Sequence, residues 1–124
     1  MNVEELKGKT ITDVKGSPGD DEMILKTSDG KEYVFYHSQD CCESVGIEDI
    51  VGDVADIIGE PLLEAEEVTS NDNPPDVKKD YQDSFTWTFY KLGTRKGGIT
   101  VRWYGESNGY YSESVYLAER TRSN

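Results

Sequence analysis

The sequence predicts an α+β domain, an antiparallel β-sheet of about five to seven strands packed on one short helical segment. Three observations carry this. Runs of alternating apolar and aromatic residues near both ends of the chain have the period of strands, and turn signals separate these runs. Between Ile47 and Ile58 the apolar spacing becomes helical. At 124 residues the chain fits a single domain, 1–124, with one core. A hydrophobic fraction of 35% against 31% charged residues leans toward disorder, but eight Tyr, three Phe and two Trp in strand-like runs argue for a folded domain.

Val3 to Leu6 reads as one helical turn, and residues 9–15 alternate weakly. Residues 22–28 and 31–37 form two strand candidates, and the Ser28-Asp29-Gly30-Lys31 turn joins them as a β-hairpin. Residues 38–46 are polar or small and carry both cysteines. Next, Ile47, Ile50, Val51, Val54, Ile57 and Ile58 fall at helical spacing. Gly52 weakens that helix by about 1 kcal/mol against Ala and breaks it into two short pieces. Gly59 and Pro61 supply its stop. Residues 61–69 read as another strand and 70–83 as a long loop rich in Asn, Asp and Pro. The last third has the strongest strand pattern. Residues 84–92, 98–104 and 110–118 read as a three-stranded meander, with Phe85, Trp87 and Phe89 on the core face. The apolar stripe of the helix is then expected to cover the aromatic sheet.

Formal net charge is −12, and it is unevenly placed. Residues 1–83 hold 22 acids against 7 bases, whereas residues 84–124 hold 3 acids against 6 bases. Between Lys31 and Lys78 there are 13 acids and no Lys or Arg. Charge this far from zero costs stability through self-repulsion. It serves solubility, or it forms a face for a basic partner. Asp49, Asp53, Asp56 and Glu60 lie along one face of the expected helix, with no interleaved base to form i,i+4 pairs. That makes them the candidate partner-binding residues. An acidic face does not bind nucleic acid directly, because phosphate contacts dominate that affinity. It suits a protein surface that itself holds nucleic acid. No segment has the roughly 20 apolar residues of a membrane span, and the N-terminus lacks a signal-peptide core. The expected location is the cytosol, where cysteines are reduced, metal-bound or redox-active rather than in a structural disulfide.

The chemistry-bearing cluster is His37, Asp40, Cys41, Cys42 and Glu43. The only two cysteines follow the only histidine by four and five residues. Imidazole and thiolates form a zinc-suited ligand set, and Asp40 or Glu43 could complete it, as could Glu106 or Glu113. Two other readings stay open: buried free cysteines with an incidental histidine, and a reactive Cys–His pair. A zinc ion here would be structural and would fix the turn that launches the helix. No metalloprotease, phosphate-loop or nucleophile-elbow signature is present, so a non-enzymatic role is expected. The alternatives are a zinc- or thiol-dependent enzyme and a structural or accessory protein. Trp103, Tyr104, Tyr110 and Tyr111 read as sheet core and cross-strand pairs, with exposed members available as interface anchors.

Three stretches carry a resemblance: H-S-Q-D-C-C-E-S-V at 37–45, S-F-T-W-T-F-Y-K at 84–91 and V-R-W-Y-G-E-S-N-G-Y-Y-S-E-S-V at 101–115. Together they resemble a family of small, mostly uncharacterised proteins encoded by phages and prophages of Gram-positive bacteria. The family does not itself fix an activity. Small acidic phage proteins of this kind include anti-CRISPR proteins, and the sequence looks like a zinc-containing type II-A inhibitor. The resemblance implies a protein that acts in the host bacterial cytosol, binds Cas9 and interferes with its loading of target DNA. Cas9 holds nucleic acid in positively charged channels, for which an acidic face can compete.

Overall fold

A computed structural model describes residues 1–79, 82 and 84–121. Eight strands follow in order: β1 (Ile11–Lys15), β2 (Glu22–Thr27), β3 (Lys31–Tyr36), β4 (Ser44–Val51), β5 (Glu64–Ser70), β6 (Ser84–Thr94), β7 (Gly97–Ser107) and β8 (Tyr116–Thr121). Two 3₁₀ turns, Val3–Leu6 and Val54–Ile57, are the helical elements among the described residues. The strands form two antiparallel four-stranded sheets, β1-β2-β3-β8 and β4-β7-β6-β5. Both contribute to one core. Met23, Leu25, Tyr33, Phe35 and Leu117 come from the first sheet, and Ile47, Tyr90, Leu92, Val101 and Trp103 from the second. The Phe35 and Tyr90 rings meet across the interior at 4.5 Å between centroids.

The expected α+β class is therefore corrected to an all-β sandwich. The segment expected to be a helix is strand β4, followed by glycine and the 3₁₀ turn. The helical spacing has a specific origin. Ile47 pairs with Trp103 and Asp49 with Arg102, so Glu48 is the extra residue of a β-bulge. The bulge returns Ile50, opposite Val101, to the face that holds Ile47. A three-residue interval on one face is what a helix would also show. Gly52 then has a φ of 106°, and a Cβ there would lie 2.6 Å from the Gly98 carbonyl oxygen. A left-handed backbone position at such close range ends the strand and excludes a continuous helix. β1 repeats the device, since a bulge between Ile11 and Asp13 lets Ile11 and Val14 share one face.

Two further expectations change. Phe85, Trp87 and Phe89 do not face the sandwich core. Thr88 lies opposite Trp103, Tyr90 opposite Val101 and Leu92 opposite Ile99, so it is Thr88, Tyr90 and Leu92 that point inward. The bulk of Trp103 is accommodated by the small Thr88. The outward Trp87 is nonetheless buried, because the loop after β5 closes over it. Asn73 accepts a hydrogen bond from Trp87 Nε1 at 3.0 Å, and Gln82 donates to the Tyr104 hydroxyl at 2.6 Å. Residues 80, 81 and 83 of that expected loop lie outside the described residues.

The meander is also overturned. β6 and β7 pair as expected, but the chain after β7 crosses to the other sheet, where β8 pairs with β3. Glu113 accepts hydrogen bonds from Thr86 and from the Ser107 hydroxyl, which folds residues 108–115 back over the end of β7. Val115 and Leu117 then enter the core beside Phe35. The hairpin of β2 and β3 forms as the Asp29-Gly30 turn predicts.

Candidate functional site

His37 follows the last residue of β3, and Glu43 precedes the first residue of β4. Both side chains turn inward from the connection between these strands. Their side chains are only 2% and 0% exposed. His37 Nε2 lies 2.8 Å from Glu43 Oε2, and His37 Nδ1 lies 2.6 Å from the Ser114 carbonyl oxygen. Both partners are acceptors. Whichever ring nitrogen carries a proton donates to the acceptor it faces, so the ring is held between the two. The Tyr116 ring stacks nearby at 6.4 Å.

The rest of the loop is organised around the Glu43 carboxylate. The backbone N–H groups of Asp40 and Cys41 donate to it at 3.0 and 2.9 Å. The Gln39 amide donates to the Glu43 carbonyl at 2.6 Å and to Oε1 at 3.2 Å. Burial pushes this carboxyl upward, but the Cys41 N–H, His37 and the Asp40 N–H outweigh it and hold the group at about 2. Glu43 is thus a permanent anion, and the loop is folded around it. The His37–Ser114 contact ties the same cluster to the crossover that leads into β8.

The five candidate metal ligands do not converge. Cys41 and Cys42 are exposed and joined to each other in a disulfide, where the sequence led to an expectation of reduced, metal-bound or redox-active cysteines. Both ring nitrogens of His37 are engaged, and Asp40 contributes its backbone rather than its carboxylate. Among the described residues no group of three or more His, Cys, Asp or Glu side chains is placed to hold one ion. Zinc at His37, Cys41 and Cys42 would require another arrangement, with the disulfide reduced and His37 turned away from Glu43. Glu113 is occupied by Thr86 and Ser107.

The four candidate partner-binding acids also separate. Asp49, on β4, stands 3.6 Å from Arg102. Asp53 caps the 3₁₀ turn by accepting from the Ala55 N–H at 3.0 Å. Asp56 packs against Gly97, and its carbonyl accepts from the Thr94 hydroxyl. Glu60 pairs with Arg95 at 2.7 Å, and that hydrogen bond holds its carboxyl below the usual range. They share no helix face, because the helix that would align them is a bulged strand and a turn.

One site escaped the sequence reading. Arg102 is a charged residue between the inward Val101 and Trp103, yet its side chain is only 9% exposed. It stacks over the Trp87 ring at 5.6 Å and makes a two-pronged contact with Asp76 at 3.0 and 3.1 Å. These hydrogen bonds hold Asp76 below the usual carboxylate range. The contact pins the loop after β5 to the outer face of the second sheet and leaves a cleft beside it. The available signal was the alternation in β7, which places Arg102 and Tyr104 on the face opposite Ile99, Val101 and Trp103.

No helix among the described residues is long and apolar enough to cross a membrane. A family model described as a domain of unknown function, DUF7448, matches residues 4–117. No curated protein and no solved structure matches the chain.

Proposed function

We propose that this chain, which belongs to the DUF7448 family of domains of unknown function, is a non-enzymatic binding protein that presents a surplus of carboxylates to a basic partner. The observation that carries the proposal is where its cations go. Three late-sequence arginines turn back onto earlier acids: Arg95 to Glu60, Arg102 to Asp76 and Asp49, and Arg120 to Glu32. Lys96 donates to the Ala55 and Ile58 carbonyls. Meanwhile the exposed Glu4, Asp21, Glu22, Glu64, Glu66 and Asp72 have no ion pair among the described residues. Lys7, Lys15, Lys78 and Lys91 are also exposed without an ion pair among the described residues, but such acids outnumber them, so the excess behind the net −12 faces outward.

Cas9, the partner implied by the sequence resemblance, is the first candidate, with inhibition by obstruction of target DNA binding. Two features favour binding over catalysis. Both nitrogens of the one histidine are engaged, and the described cysteines are not free thiols. The proposal needs no metal ion. Its test is a DNA-binding assay with guide-loaded Cas9 and the purified protein at low salt. Binding that weakens as salt rises, together with loss of DNA binding, supports it. Absence of binding at low salt removes Cas9 as the partner. A Cys41→Ser/Cys42→Ser variant that folds should still bind, whereas a thiol-dependent enzyme would lose all turnover.

A further inference from the structure

A cleft of about 490 Å³ opens on the outer face of the second sheet, between the loop after β5 and strands β4, β6 and β7. Phe89, Val51, Pro74 and Pro75 provide its apolar lining, and Asp72, Asp76 and Arg102 its charges. Its mouth is accessible, since Val51 is 50% exposed and the Asp76 side chain 67%.

From this geometry we infer that the cleft seats an arginine side chain of the partner. The inference rests on the proposed function and assigns it a contact point. Three observations point to that chemistry. First, the lining charge is unbalanced in one direction, with Asp72 and Asp76 against the one cation Arg102. Asp76 stays ionised because Arg102 holds its carboxyl low. An added cation is attracted here and an added anion repelled. Second, the fold already holds one guanidinium by the same means, stacked on Trp87 and bracketed by Asp76 and Asp49. Trp87 and Phe89 lie parallel at 5.9 Å, so Phe89 extends the aromatic row into the cleft. Third, proline and valine walls suit the methylene stem of a long basic side chain, whose planar head stacks on an aromatic ring better than an ammonium does.

The test is an amide-resolved NMR titration with a blocked tripeptide carrying a central arginine, and with its neutral citrulline counterpart. Shifts should centre on Val51, Asp72, Phe89 and Thr100, with the citrulline peptide weaker by about fivefold or more. Asp72→Asn, at a carboxylate with no side-chain hydrogen bond or ion pair among the described residues, should weaken the arginine peptide about threefold. Thr100→Trp should block the cleft. Equal binding of the two peptides, shifts centred on β5, or no shifts at all would overturn the inference. Failure of the two readings can be told apart. Arginine seated in the cleft without Cas9 binding keeps the cleft and removes Cas9. Undiminished Cas9 binding by both folded variants removes the cleft and keeps Cas9.

Discussion

At the scale of single residues, Glu43 decides how the loop between β3 and β4 is built. A carboxylate with almost no solvent exposure survives because His37 and two backbone N–H groups meet it directly. The consequence for pH follows from the direction of its shift. Its folded value of about 2 lies below the ordinary 4.5. The charged form therefore contributes stability above pH 4.5, and that contribution fades as pH falls through 2. Glu43→Gln should lower the melting temperature at neutral pH several-fold more than the exposed control Glu66→Gln. The gap to the parent should close on acidification, which thermal melts across that range will show. A gap that stays constant with pH would mean that the carboxylate's charge is not what matters. The sequence identified this cluster by residue type and spacing, and the same five residues do form one loop. It could not show that Glu43 is the side chain that His37 faces. A carboxylate and a metal ion make the same demand on a nearby imidazole in a one-dimensional reading.

At the scale of elements, the two bulges and the loop after β5 are the features on which the fold turns. The bulge at Glu48 gives strand β4 an interval that mimics a helix, and Gly52 closes the strand. Gly52→Ala places a methyl against the Gly98 carbonyl in an unfavourable backbone region. It should destabilise the protein by about 2–3 kcal/mol in urea melts, without added helical signal. The loop over Trp87 depends on Asn73. Asn73→Ala would leave the buried indole N–H unpaired, at a cost of about 1–3 kcal/mol, and should shift the tryptophan emission toward that of a solvated ring. Unchanged stability and emission would show that the loop is not held by this contact. The strands and the β2–β3 hairpin were legible because period and turn chemistry are local. Bulges were not, since an extra residue is visible only against its partner strand. The outward facing of Trp87 was hidden for a related reason. An aromatic on either face of a strand reads the same until the loop that covers it is placed.

At the scale of the whole molecule, charge is the property that the sequence conveyed and the fold redistributed. The acidic first two-thirds and the basic last third are brought together by β8 pairing with β3 and by β7 lying beside β4. Arg95, Arg102 and Arg120 are consumed in doing so. The acidic character therefore belongs to the outer surface as a whole rather than to one helix face. Such a surface speeds encounter with a basic partner and weakens as salt screens it over a Debye length of about 10 Å or less. The most direct test is the affinity for guide-loaded Cas9, measured between about 50 and 300 mM salt. The expected result is competition with target DNA and an affinity that drops at least about tenfold over that range. No binding at the low end, or binding insensitive to salt, would contradict a carboxylate surface acting on that partner.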